Sequence, residues 1–213
     1  MYRAEVISYP RSGYHLVKGL VGKYFDSEFK PTTVYSNPSN NVYNNPTITF
    51  QKNHDLPLTT KTTNDKDVRY LVIIRYPLES LVSYYKFQSE RSGIEHSRSG
   101  WEYFALSKID YWIKFYDKWV VSKIENRCVL NYGSLMLDPY TELGKVIRFL
   151  LESDREVDNE KISCIVDPSK GGGEIKRKNN ICNFEYYDEK FFNDLRNKIK
   201  SIPSINVEND TLS

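Results

Sequence analysis

The sequence predicts an α/β domain layered around a central, mostly parallel sheet of four to five strands. Two observations carry this. Short apolar runs alternate along the chain with amphipathic stretches of helical period. The runs at 4–8 and 69–74 are also continuous rather than alternating, as in strands covered on both faces, so helices belong on both sides. With 39 % apolar residues, a chain of 213 can bury a core of this size.

In order, strands are expected at 5–9, 47–51, 69–74 and 127–131, and helices at 14–24, 78–88, 101–123, 141–151, 160–166 and 189–199. The first strand stops at Pro10 and Gly13, after which Leu16, Val17, Leu20, Val21 and Tyr24 keep helical spacing. Residues 31–46, rich in Asn, Ser, Thr and Pro, read as a loop. The stretch 169–183, with Gly171-Gly172-Gly173 before Lys176-Arg177-Lys178, reads as a flexible basic loop. Trp101, Phe104, Ala105, Ile109, Trp112, Ile113, Tyr116 and Val120 form a core-facing stripe. No repeat or second domain is evident: one domain is expected over 1–203, with a polar tail over 204–213.

Composition narrows the function. A formal charge of +2 does not supply the concentrated basic face that nucleic-acid binding needs. No apolar run approaches the roughly 20 residues of a membrane span. Met1-Tyr-Arg-Ala carries no leader pattern. Cys128, Cys164 and Cys182 are odd in number and widely spaced, and suggest neither a disulfide framework nor a zinc site, so a reducing cytoplasm is the expected compartment.

Sheets of this kind place ligands at the carboxyl ends of their strands. The first strand delivers Pro10-Arg11-Ser12-Gly13, a turn at a helix start whose backbone amides suit a phosphate. The second delivers Lys52-Asn53-His54-Asp55, the third Arg75-Tyr76-Pro77 and the fourth Tyr132-Gly133. Basic groups at three of four strand ends fit a substrate with several anionic groups. Taken singly, each has a plainer reading: Arg75 as the surface partner of Glu79, Tyr132 as core, His15 and His96 as structural or exposed. Their shared edge and order outweigh those readings.

These residues carry a resemblance. Tyr9-Pro-Arg-Ser-Gly13 resembles the 5′-phosphosulfate loop of sulfotransferases that use 3′-phosphoadenosine 5′-phosphosulfate (PAPS). Lys52-Asn53-His54 is similar to that family's Lys-Thr-His element, Arg75-Tyr-Pro77 with Ser83 to its Arg-Asp-Pro…Ser signature, and Tyr132-Gly-Ser-Leu…Asp138-Pro139 to its Tyr-Glu-Asp-Leu…Asp-Pro stretch. The elements stand in family order across about residues 4–180.

The resemblance implies a P-loop-like fold and sulfuryl transfer from PAPS to a hydroxyl or amine, leaving 3′,5′-ADP, with no metal. It implies His54 as base, Lys52 and Arg11 at the breaking bond, and Arg75 and Ser83 on the 3′-phosphate. Tyr132 would lie by the adenine, and Ser12, Gly13, Tyr14 and His15 would line the donor. Lys170-Gly171 stands nearest to the family's late Arg-Lys-Gly closure, with Arg177 or Lys178 as substitutes. The departures are Tyr14, His15 and Leu16, where the family commonly has two hydroxyl residues and a tryptophan, and Tyr76 and Gly133, where it has aspartate and glutamate. The acceptor stays open among carbohydrate, lipid, peptide tyrosine and small alcohol, selected by the loops 35–45 and 90–100. Two rivals remain: a nucleotide-binding relative without turnover, and a P-loop kinase, weakened because no Gly-x-x-x-x-Gly-Lys-Ser/Thr occurs.

Overall fold

The computed structural model describes residues 2–33, 48–151, 154–167, 169 and 181–202. By chain contacts it divides into two compact units, each assembled from separate segments. The first comprises residues 1–8, 12–74 and 124–177, the second 9–11, 75–123 and 178–213.

The first unit holds the whole sheet: β1 (Tyr2–Ser8), β2 (Phe29–Thr33), β3 (Ile48–Asn53), β4 (Val68–Ile74) and β5 (Arg127–Asn131). The order is β2-β3-β1-β4-β5 and every pairing is parallel. From β1 the chain builds towards one edge as β2 and β3, then crosses to β4 and β5 on the other side. The carboxyl end of β1 is therefore the point of reversal, where a parallel sheet opens a crevice. In register, Ile7 faces Asn53 on β3 and Ser8 faces Ile73 on β4.

Helices α1 (Tyr14–Phe25), α4 (Tyr132–Leu137), α5 (Pro139–Leu150) and α6 (Asn159–Val166) belong to the same unit. Val17, Leu20 and Val21 of α1, Val146 and Ile147 of α5 and Ile162 of α6 join one core with Val6, Phe50, Leu71 and Leu130 of the strands. Ile7 and Val72, on the opposite face, are also fully buried, which explains why these strands read as continuous apolar runs. Local chemistry sets the helix starts. Asn131 caps α4 through Gly133 N, Asp138 caps α5 through Thr141 N with Pro139 at the first helical position, and Asp158 caps α6 through Lys161 N.

The second unit is helical, with α2 (Pro77–Arg91), α3 (Arg98–Tyr116) and α7 (Glu189–Lys200). Its core is aromatic: Trp101 stacks on Phe192 at 5.7 Å and meets Phe184 edge-on at 4.9 Å. The Tyr85 hydroxyl accepts from Ser97 N at 3.0 Å and donates to the Glu95 carbonyl at 2.8 Å, fixing the turn between α2 and α3.

Several expectations need correction. β2 occupies residues 29–33, so residues 31–33, read as loop from the sequence, belong to a strand. Among the described strands β2 lies at the sheet edge and pairs with β3 alone, a position in which a strand tolerates the proline at 31. The expected mostly parallel sheet of four to five strands is present, with five strands and every described pairing parallel. α4 was not foreseen, and Ile181–Asn183 is a 3-10 turn rather than loop. The long third helix begins at Arg98 and passes into a π turn at Asp117–Val121. Its stripe buries Phe115 and Trp119 fully, while Ile113, Tyr116 and Val120 are only partly covered. The stretch 34–47, residues 170–180 of the expected basic loop and the polar tail lie outside the described residues.

Candidate active site

In the sheet unit, the chain leaves β1 through a turn that ends at Gly13, the residue before α1, with φ +99°. An added Cβ there would stand 2.4 Å from Cδ2 of Tyr132, so the loop and the first residue of α4 meet at a spot only glycine fits. Gly13 offers no side-chain cap to α1. α1 begins a few residues beyond the end of β1, the sheet's reversal point, and the uncapped amides of a helix start suit an anion. Ser12 is buried, while His15 at the second helical position is exposed.

His54 follows directly on β3. Its Nδ1 lies 2.7 Å from the backbone carbonyl of Ser8 and 3.2 Å from the Ser8 hydroxyl. A carbonyl can only accept, so Nδ1 carries the proton and Nε2 is the basic nitrogen of the neutral ring. Burial lowers the His54 pKa from its ordinary 6.5; the Ser8 hydrogen bond pulls it upward, and the charges of Lys52 and His15 push it down. The ring is therefore held neutral and oriented.

A small network fixes the backbone on the far side of His54. Asp55, fully buried, has φ +45°. Its amide donates to Asn53 Oδ1 at 2.7 Å, its carboxylate accepts from Thr60 N at 2.8 Å, and Asn53 Nδ2 donates to Thr60 Oγ1 at 3.0 Å. Lys52, on the same strand end, holds its ammonium 5.0 Å from the centroid of the Tyr14 ring.

In the helical unit, Arg11 Nε donates to Ser83 Oγ at 3.2 Å, and its guanidinium lies 5.0 Å from the Phe87 ring centroid. Arg75 donates from Nη1 to the Arg11 carbonyl at 3.4 Å and from Nε to Glu79 Oε2 at 3.0 Å. Arg75 and Glu79 are 7 % and 2 % exposed, so the surface pairing considered from sequence is a buried one. Burying this pair costs desolvation, and the geometry aligns Arg75 with the backbone of the loop before Ser12. Three of the residues expected at the donor, Arg11, Arg75 and Ser83, are thus joined by hydrogen bonds in one unit.

A family model described as the sulfotransferase domain matches residues 4–198. The chain belongs to this sulfotransferase family. The match runs through segments of both units. Among solved structures, mouse sulfotransferase SULT7A1 complexed with PAP superposes with a TM-score of 0.60 at 13 % identity, over 94 % of this chain and 82 % of that one. At that identity the likeness is one of fold, and it confirms the P-loop-like α/β architecture. No curated protein matches the sequence.

Within the sulfotransferase domain the expected residues divide cleanly. The sheet unit brings Gly13 to Tyr132, Tyr14 to Lys52, and His54 to Ser8 with Lys52 and His15 as its charged neighbours. The helical unit brings Arg11 to Ser83 and Arg75. Lys170, Gly171, Arg177 and Lys178 lie outside the described residues. Sequence reasoning missed Ser8, Asn53 and Asp55 as supports of His54. The Asn-x-Asp bracket around the histidine was a visible turn signal, whereas a backbone carbonyl on a neighbouring strand leaves no trace in sequence. No described helix is long and apolar enough to cross a membrane. Among the described residues, no cluster of His, Cys, Asp and Glu is arranged for a metal ion.

Proposed function

We propose that this sulfotransferase takes PAPS as its donor and transfers the sulfuryl group to a hydroxyl or amine acceptor, with His54 as general base. The observation that carries the reading is the Ser8 carbonyl at 2.7 Å from His54 Nδ1, which makes Nε2 the proton-accepting atom. A depressed pKa keeps that atom unprotonated at neutral pH.

The step balances simply. Nε2 takes the acceptor's proton as the acceptor oxygen or nitrogen bonds to sulfur; the bond from sulfur to the 5′-phosphate oxygen breaks, and that oxygen keeps the electron pair. Lys52 stabilises the charge growing on this oxygen, and the amides at the start of α1 hold the 5′-phosphate. Arg11, next in the chain to Ser12, adds a fixed charge to the same loop. Arg75 and Ser83 serve the 3′-phosphate, the arginine through its planar fork. Tyr132, packed on Gly13, serves the adenosine side of the donor. A single domain houses the reaction, and positioning with charge stabilisation supplies the catalysis, so no metal enters it.

The supports are the family match and the convergence of expected residues within each unit. The acceptor is a small molecule, glycan or lipid bearing the nucleophile. The test is mass-spectrometric detection of sulfated products from PAPS across such an acceptor panel, beside calorimetry with 3′,5′-ADP. Sulfated product from the wild-type chain, lost in His54→Ala with 3′,5′-ADP binding kept, is the expected result. Absence of 3′,5′-ADP binding overturns the donor assignment, and binding without any product across the panel favours a relative without turnover.

A further inference from the structure

Lys52 is a flexible side chain whose ammonium must be held in one place to act on one atom. Fixing a lysine costs rotamer entropy of up to about 2 kcal/mol unless a contact offsets it. Alternation along β3 puts Phe50 and Lys52 on one face of the sheet. Tyr14 stacks on Phe50 with centroids 6.2 Å apart and planes at 28°, and Phe50 in turn packs on Phe29 at 5.1 Å. A column of rings from β2, β3 and α1 therefore ends under the Lys52 ammonium, 5.0 Å from the last centroid. Tyr14 is 7 % exposed, so its ring is confined to this position.

We propose that Tyr14 is the positioning residue for Lys52, its ring face holding the ammonium at the donor's 5′-phosphate through a cation–π contact. The inference rests on the donor reading given above. Burial pushes the Tyr14 hydroxyl up to about 12, so the ring stays a neutral phenol and the residue is not a proton donor in the reaction. Its contribution is the π face, which phenylalanine also has and leucine lacks.

The test is a double-mutant cycle on 3′,5′-ADP affinity, measured by calorimetry on the full chain. Tyr14→Leu weakens binding about threefold to tenfold, the span of a partly buried cation–π contact. In a Lys52→Met background the same change has no further effect, and Tyr14→Phe stays within about twofold of wild type. Equal losses in both backgrounds overturn the inference. A phenylalanine fluorinated around the ring, placed at position 14, keeps shape and packing while removing the negative face; wild-type affinity in that protein also overturns it, and it decides the matter should Tyr14→Leu fail to fold. If the wild-type chain does not bind 3′,5′-ADP, the donor reading fails separately. The Tyr14–Lys52 contact is then read from acetylation of Lys52 mapped by mass spectrometry: faster modification in the fluorinated protein supports it, and equal rates sink it.

Discussion

The Nδ1 atom of His54 and the carbonyl oxygen of Ser8 stand 2.7 Å apart across the parallel pair β1–β3. That bond ties the protonation state of a side chain to the backbone of the neighbouring strand. Because the carbonyl can only accept, the proton sits on Nδ1 and Nε2 is the nitrogen with the available lone pair.

His54→Ala is expected to abolish sulfuryl transfer while 3′,5′-ADP affinity stays within about twofold, because a group acting on the acceptor proton contributes little to holding the product nucleotide. Steady-state rates and calorimetry on the same preparations check this. Unchanged turnover refutes the base assignment.

The pH profile follows from the direction of the His54 shift. Its folded pKa lies below the ordinary 6.5, so the base stays deprotonated, and kcat/KM stays on its plateau, to a pH below that value. The linkage to stability has the same sign: as pH falls below 6.5 the unfolded chain binds a proton that the folded chain refuses, and stability drops. His54→Gln is expected to flatten this acid loss in denaturant titrations. His15→Gln, which removes a Coulombic neighbour that lowers the His54 pKa, should move the acid limb of kcat/KM upward.

Gly13→Ala combines a left-handed backbone with a Cβ placed 2.4 Å from the Tyr132 ring. We expect a loss of about 1–3 kcal/mol in stability and a drop of more than about tenfold in 3′,5′-ADP affinity. Tyr132→Ala in the same chain relieves the clash and leaves the backbone strain, so it should restore only part of the stability. Thermal melts of the single and double variants separate the two causes.

The buried Arg75–Glu79 pair predicts different outcomes for stability and for binding. Glu79→Leu leaves a buried guanidinium without this carboxylate and is expected to cost about 3–5 kcal/mol. Arg75→Met with Glu79→Leu should recover most of that stability while 3′,5′-ADP binding is lost with the guanidinium. Recovered binding in the double variant would show that Arg75 is structural only.

Asp55 should reveal how far His54 depends on its neighbours. Asp55→Asn keeps a side chain tolerant of positive φ and is expected to be mild, whereas Asp55→Ala loses the bond to Thr60 N and strains the turn. A fall of about tenfold in kcat with KM for PAPS unchanged is the expected signature, since the base is displaced while the donor loop is not.

Much of this was legible in the chain. Residues 70–74 formed an unbroken apolar run because that part of β4 is buried, and the helix at 14–24 kept its period because α1 covers one face of the sheet. β2 escaped because Pro31 is a strand breaker everywhere except on an edge, and edge position is a property of the assembled sheet. α4 escaped because six residues are too few to show a period, and its start depends on the Asn131 side chain accepting from Gly133 N.

The sequence by itself determined the class of the fold, the family, and which strand ends carry the basic residues and the histidine. Those follow from local pattern, since apolar period and the order of short motifs are written along one dimension. Only the tertiary structure decided which nitrogen of His54 is basic, that Arg75 and Glu79 meet in the interior, and that the Tyr14 ring lies beneath Lys52. Each of those depends on groups 4 to 46 positions apart brought to within a few ångströms, and burial there sets the electrostatics.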